Sequence, residues 1–204
     1  MTHVIEAITA RTSVNNYDPT HQLSDAEIGE LIALATQAPS AFNGQNWKFI
    51  AVRSPEAKAR LHPAAYGQQK VLDAAVTFIV CGKLAIQDTL PSALAPAKTV
   101  GILDDATYEG WVGAASNMYG PNAVLQRDEA VRSASLAAMT LMLAAKGLDL
   151  GSCPMIGFDA GAVTEAFNLE ASDVPVMLVT VGRAAADNWP KKPRLAVADV
   201  LSFA

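Results

Sequence analysis

The sequence predicts an α+β fold with a small, mostly buried sheet packed between helices. Three observations carry that reading. Long helical stretches separate only three apolar strand candidates, at 47–53, 75–82 and 174–183. Strands and helices do not alternate regularly, which disfavours a doubly wound parallel sheet. A long alanine-rich helix, apolar nearly all round after Ala134, reads as buried. Of the 204 residues, 51% are hydrophobic and only 17% charged, where soluble domains carry about 25% charged residues. The length suits one domain over residues 1–204. The shortage of charge has two readings: an ample core, or a surface covered by a second subunit.

The elements follow in order along the chain. Residues 2–10 read as a short helix with Val4, Ile5 and Ile8 on one face. The polar stretch RTSVNNYDP comes next and ends in the turn signal Asp18-Pro19. Ser24 and Glu27 make a capping box, and Ile28, Leu31, Ile32 and Ala35 then recur at helical spacing until Pro39 closes the segment. A polar loop over 40–46 precedes the first strand, where Trp47, Phe49 and Ala51 share one face and Ile50 and Val52 the other. Ser54-Pro55-Glu56 opens another short helix. Residues 75–82 are apolar on both faces and belong in the middle of the sheet. Residues 84–104, broken by Pro91, Pro96 and Gly101, read as irregular. Helices are expected at 105–118 and 122–146, the second closed by Lys146-Gly147. The segment LDLGSCPMIGFD, 148–159, reads as a Gly/Pro-rich loop, and Asp159 as the N-cap of a helix to about Phe167. The tail, 184–204, carries an apolar strip of Leu195, Val197, Val200, Leu201 and Phe203.

Several function classes are excluded at this level. A net charge of −5 with no block of five like charges argues against a broad nucleic-acid-binding face. Cys81 and Cys153 lie far apart and outside any CxxC, so no disulfide framework or cysteine zinc site is encoded, which suits a reducing cytosol. The N-terminal residues show no signal peptide, and the longest near-apolar run, Ala134 to Ala145, is too short to span a bilayer. His3, His21 and His62 are isolated, so no metal site is expected. There is no GxSxG, Walker loop or GxGxxG, hence no nicotinamide-binding Rossmann domain. The expectation is a cytoplasmic protein without nucleic-acid or membrane partners.

Four polar loops remain to be explained. In Arg11-Thr12-Ser13-Val14-Asn15, a guanidinium and a hydroxyl two residues apart can meet one phosphate, or Arg11 is an ordinary helix C-terminal cation. Pro39-Ser40-Ala41-Phe42-Asn43-Gly44-Gln45 offers amide donors and acceptors suited to a heterocycle edge, or is a plain helix-to-strand turn. Gly151 to Phe158 holds backbone amides where they can approach a planar ligand, or is a plain loop. Lys192-Pro193-Arg194 supplies positive charge to a phosphate, or is a solvated basic patch.

Taken in this order, APSAFNGQNW and GSCPMIGF, with RTS and KPR, resemble the nitroreductase family of FMN-dependent NAD(P)H oxidoreductases. The resemblance covers Arg11 to Arg194. It implies a nitroreductase-like FMN-binding sandwich, with a small mixed sheet flanked by helices. It further implies an intertwined homodimer with FMN in the subunit interface and the tail, about 185–204, packed on the partner. By that resemblance Arg11, Thr12 and Ser13, with Lys192 and Arg194, contact the FMN phosphate and ribityl chain. Asn15 faces the flavin O2 edge and Lys70 its pyrimidine edge. Pro39, Ser40, Ala41, Asn43 and Gln45 reach the flavin, in part from the opposite subunit. Pro154, Met155, Ile156 and Gly157 lie over its face, with the amides of Ile156 and Gly157 toward N5 and O4. Asn15 departs from the Arg or Lys of many members, Asn46 from a common Pro, and Ile156 from Glu or Gly.

The activity implied is ping-pong: NAD(P)H reduces the flavin at N5, and a small electron-poor acceptor, a nitroaromatic or quinone, then takes the electrons. No side chain is implied as a chemical catalyst. Other flavin chemistry on the same fold, such as dehalogenation, and a flavin-free binding protein are the alternatives, with a thiol enzyme built on Cys153 as a third. Tyr108, Trp111 and Tyr119 either form a lid or pack between helices.

Overall fold

His3 opens the first helix, its Nδ1 accepting the Ile5 amide at 3.3 Å. This helix, α1, spans Val4–Ala10. The computed structural model describes residues 3–204, so Thr2 of the expected first helix lies outside it. The Ser24–Glu27 capping box forms as expected and starts α2 (Asp25–Ala35). Then follow β1 (Trp47–Val52), α3 (Pro55–Ala64) capped by Ser54, and the single turn α4 (Lys70–Asp73). The remaining elements are β2 (Val76–Lys83), α5 (Ile86–Thr99), α6 (Asp105–Tyr119), α7 (Ala123–Gly147), β3 (Gly151–Met155), α8 (Ala160–Ala166) capped by Asp159, and β4 (Asp173–Gly182).

Three expectations are corrected. Residues 84–104 are not irregular but mostly α5, despite Pro91 and Pro96 inside it. Packing overrides the breakers: Ile86, Leu90 and Leu94, four residues apart, are buried against Ala115 and Tyr119 of α6. The segment 148–159 is not wholly loop, for it contains β3. Pro154 is tolerated there because β3 is an edge strand, where one missing N–H breaks no inner ladder. Gly147 ends inside α7, and the left-handed residue beyond the helix is Asp149 (φ 57°).

The strand order is β1-β2-β4-β3, antiparallel throughout. The parallel component of the expected mixed sheet is confined to one bridge, Ser13 with Ser152. β2 and β4 are the inner strands and alternate between two cores. Val76, Phe78, Val80, Val179 and Val181 pack under α2 and α7. Ile79, Cys81, Leu178, Cys153 and Met155 pack under α3, α4 and α8. A sheet buried on both faces needs strands that are apolar on both faces, which is what β2 showed in the sequence. α7 lies so close to β2 that a Cβ on Gly82 would collide with the Ala130 backbone.

Residues 13–17 form a strap along the outer edge of β3. The Val14 amide donates to the Ser152 carbonyl at 3.0 Å, and Tyr17 bridges Ala184. The buried Tyr17 hydroxyl bonds Thr180 Oγ1 at 2.9 Å, and burial pushes its pKa up. Gly151 admits the strap: a Cβ there would sit 2.7 Å from Val14 Cγ2.

At the other end of the sheet Asp173, its side chain 0% exposed, clasps three strands. Its carboxylate accepts from Lys48 Nζ of β1 at 2.6 Å and lies 2.9 Å from Lys83 Nζ of β2, with the Glu170 amide at 3.0 Å. Burial pushes the Asp173 carboxyl up, but the hydrogen bonds from Lys48, Lys83 and the Glu170 amide together outweigh it and hold it below the usual 3.8.

Two stability predictions follow from these contacts. Gly151→Ala overpacks the strap and costs about 2 kcal/mol, or about 4–8 °C in Tm. In a double-mutant cycle read by thermal melts, Val14→Ala recovers part of that loss; strict additivity would show that the strap does not press on Gly151. Asp173→Asn costs about 2–3 kcal/mol at neutral pH. Because the folded carboxyl titrates below its unfolded value of about 3.8, its contribution is complete above that pH and is lost as pH falls through the folded value. Denaturant titrations of the two proteins should therefore converge on acidification, and a gap unchanged at pH 3 would remove the ion clasp as its source.

Candidate functional site

The strap and the two residues before it bring Arg11 to Asn15 alongside β3, and Lys70 meets Asn15 from the start of α4. Lys70 Nζ donates to Asn15 Oδ1 at 2.7 Å and lies 3.6 Å from Cys153 Sγ. The tail returns over the same place. Lys191 donates to the Thr9 carbonyl at the end of α1, and Asn188 bonds the strap backbone. Together Thr12, Ser13, Asn15, Trp189, Pro190, Lys191, Lys192 and Arg194 line a cavity of about 140 Å³. Lys192 Nζ sits 4.4 Å from the Trp189 ring centroid, and Arg194 Nη1 donates to the Lys192 carbonyl at 2.8 Å. This lining holds three cations and no carboxylate, an arrangement suited to an anion.

Arg11 caps the end of α1 and points into an adjoining hollow of about 130 Å³ lined also by Lys146 and Ser152. Its Nη1 and the Ser152 Oγ are both buried without a hydrogen-bond partner. Buried donors are almost always paired, so this guanidinium is left ready for an acceptor oxygen.

The segment Pro154–Gly157 leaves β3 beside the cluster. Cys153 and Met155 point into the core, so at Met155 only the backbone can face a ligand. Ile156 follows the last paired residue and is 84% exposed. Gln68 Nε2 donates to the Gly157 carbonyl at 2.8 Å and fixes this loop to the α3–α4 connection. Cys153 Sγ has Lys70 Nζ and the Pro154 carbonyl as polar neighbours and no histidine, so it reads as a packing residue.

The loop carrying Pro39, Ser40, Ala41, Asn43 and Gln45 is not joined to this cluster. It packs on the α5–α6 unit instead. Phe42 stands edge-on to Trp111 and Tyr119, with centroids 6.2 and 6.4 Å away. Phe42, Asn43 and Gln45 adopt left-handed backbone at φ 53°, 54° and 48°, costly for non-glycine residues. The Ser40 hydroxyl, accepting the Gln45 amide at 2.9 Å, helps hold that shape. Gly44 is needed beneath Ile86, whose Cδ1 would be 2.5 Å from an added Cβ. The loop feeds β1, at the sheet edge opposite β3, about 14 Å away across three strand spacings. Asn46 Nδ2 donates to the Lys83 carbonyl and pins the loop's end. Tyr119 is buried and Tyr108 donates to the Pro91 carbonyl, so both pack between helices, while Trp111 stays partly exposed.

Asn188, Trp189, Pro190, Lys146 and Gln68 were missed in the sequence. Nothing in the tail's composition marks Asn188, because its partners in the strap lie more than 170 residues away. A larger hollow of about 560 Å³, lined by residues such as His21, Arg53, Lys58 and Leu72, contains none of the expected residues. Among the described residues no group of three or more His, Cys, Asp or Glu could hold a metal, and no helix is long and apolar enough to cross a membrane.

Known proteins resemble this chain in sequence and in fold. The profile of the Nitroreductase family matches residues 8–183. A Bacillus subtilis (strain 168) protein provisionally named NAD(P)H nitroreductase YodC is 35% identical over 184 residues, which cover 90% of this chain and 91% of that protein. A Thermus thermophilus protein named NADH dehydrogenase is 30% identical over 201 residues, covering 92% and 91%. The crystal structure of a provisionally named nitroreductase from Exiguobacterium sibiricum, in complex with FMN, superposes with a TM-score of 0.93 at 30% identity, covering 100% of this chain and 98% of that one. With its family profile, relatives and fold in agreement, the chain belongs to the nitroreductase family.

Proposed function

We propose that the protein is an oxidoreductase that binds FMN between two copies of the chain and passes electrons from NAD(P)H, in ping-pong fashion, to nitroaromatics, quinones or similar electron-poor acceptors. One observation carries this reading: the buried, unpartnered Nη1 of Arg11 beside a carboxylate-free cavity lined with cations. Such a place fits a phosphate ester, and the relative from Exiguobacterium sibiricum is in complex with FMN. When bound, FMN supplies the two-electron chemistry.

The chain's own residues bind and orient. Arg11, Ser13, Lys192 and Arg194 hold the phosphate, with Thr12 in the same wall. Asn15 and Lys70 meet the pyrimidine edge. The backbone from Pro154 to Gly157 lies along the ring, with the amides of Ile156 and Gly157 as its donors. Pro39, Ser40, Ala41, Asn43 and Gln45 come from the second copy, because within one chain they sit at the opposite sheet edge. Apolar surface for such a pairing is available: Val4, Ile5 and Ile8 of α1 are exposed, as are Leu136 and Met139 of α7 and, in the tail, Leu195, Val197, Val200, Leu201 and Phe203, the last 92% exposed. Tail residues 185–204 then pack on the partner.

The direct test is NADH and NADPH oxidation with a panel of quinones and nitroaromatics, after bound FMN is confirmed. Two predictions sharpen it. Arg11→Ala should lose about 10- to 100-fold in FMN affinity, as expected for a lost charged hydrogen bond, with an unchanged circular dichroism spectrum. Full FMN content in the purified variant would remove Arg11 from the phosphate site. Co-expression of Arg11→Ala chains with Ser40→Arg chains should restore about a quarter of wild-type occupancy, since mixed dimers carry one intact site. Flavin content no higher than that of either variant alone would mean that each site is built from a single chain.

A further inference from the structure

The Asn188 carboxamide is the only tail side chain among the described residues that bonds the strap backbone on both its acceptor and donor sides. Its Oδ1 accepts the amides of Asn15 (2.7 Å) and Asn16 (3.0 Å). Its Nδ2 donates to the carbonyls of Asn16 (2.8 Å) and Ala185 (2.9 Å). A carboxamide has two acceptor positions and two N–H donors, so every one is used. Asn16 Nδ2 donates to the Asp187 carbonyl at 2.8 Å, and the Ala185 amide to the Asn16 carbonyl at 2.9 Å, which closes the clasp.

With its backbone held, Asn15 turns Oδ1 to Lys70 Nζ at 2.7 Å. Lysine only donates, which fixes which end of the Asn15 amide faces it. The end left for a ligand is therefore Nδ2, a donor. Lys70 has Cys153 Sγ as its second partner and one N–H to spare. Asn15 and Lys70 thus present donors side by side. Asn15 does not merely replace a cation with a neutral group: it anchors one, Lys70 at the start of α4.

We infer that Asn188 is a positioning residue, which sets Asn15 and through it Lys70, so that Asn15 and Lys70 act as one paired donor toward an acceptor edge that gains negative charge. This rests on the FMN reading for the identity of that edge, the flavin pyrimidine ring. The tail that covers the site thereby also sets its field.

The relay is tested first without flavin. In ligand-free protein, acetylation by an N-hydroxysuccinimide ester is followed by mass spectrometry at Lys70, with Lys58 as internal reference. Asn188→Ala and Asn15→Leu should each raise Lys70 labelling several-fold, and Asn188→Asp, which keeps the acceptor for both amides, should fall between. Equal labelling in all four proteins overturns the relay. FMN titration of the apoproteins and the midpoint potential of the bound flavin then test positioning. Asn188→Ala should weaken FMN binding about 10-fold and lower the potential, since a displaced Lys70 stabilises the reduced ring less. Unchanged affinity and potential overturn the positioning role, as does a lowered Tm alone. If the wild-type protein takes up no FMN, the flavin reading fails, while the labelling still decides the relay.

Discussion

One backbone hydrogen bond, from the Val14 amide to the Ser152 carbonyl, is the contact on which the candidate site depends. It lies on the outer edge of β3, where an unpaired strand offers its carbonyls to any segment that can lie beside it. By taking that edge the strap protects the sheet and brings Arg11 to Asn15 within reach of Lys70 and the tail. Its position is over-determined. Tyr17 locks one end to Thr180 in the core, Asn188 holds the middle, and Gly151 leaves room for Val14. A site assembled from segments so distant in sequence needs such redundancy, because each ordered loop costs conformational entropy that its few contacts alone cannot offset.

The sheet separates the site's parts as firmly as the strap gathers them. β1 and β3 are its two edges, held in order by the inner pair β2 and β4. The Asp173 clasp ties β1, β2 and β4 together at the end from which the 39–45 loop departs. That loop keeps three non-glycine residues in left-handed backbone and is braced by Phe42 against α6. Strain of this kind persists only where surroundings enforce it, and it is commonest where a backbone must present itself to something. The brace lies in the loop's own chain, and under the proposed reading the object presented to lies in the other.

Much of the fold was legible because local signals and packing agreed. The Ser24 box, the Asp159 cap and the two-faced apolar run of β2 each express one physical rule and each formed. Where signals conflicted, tertiary burial decided. Pro91 and Pro96 mark a break, yet Ile86, Leu90 and Leu94 bury one face of α5. Pro154 marks a loop, yet edge position makes it harmless in β3. At the site, residue types were legible through motifs, and Asn15, Lys70, Lys192 and Arg194 do converge. Asn188 was not, since a single asparagine in a polar tail acquires meaning only from the backbone it meets. Nor could Met155 be told from Ile156 before the register of β3 was known: the first turns its side chain into the core, the second into solvent.

The low charge of the chain takes on a different sense in this light. Only 17% of residues are charged, and several of those cations crowd one small region: Lys70, Lys146, Lys191, Lys192, Arg11 and Arg194. Asp149 lines the hollow beside Arg11, but the cavity under the tail has no carboxylate. In a protein of net charge −5, such a concentration is opposed by self-repulsion and desolvation unless something negative enters. The structure softens that opposition with neutral partners: the Trp189 face under Lys192, the Thr9 carbonyl under Lys191, the Asn15 amide under Lys70. Carboxylates would hold these cations more tightly, but would neutralise them. Holding them with an aromatic ring, a carbonyl and an amide fixes their places and leaves their charge available to a ligand.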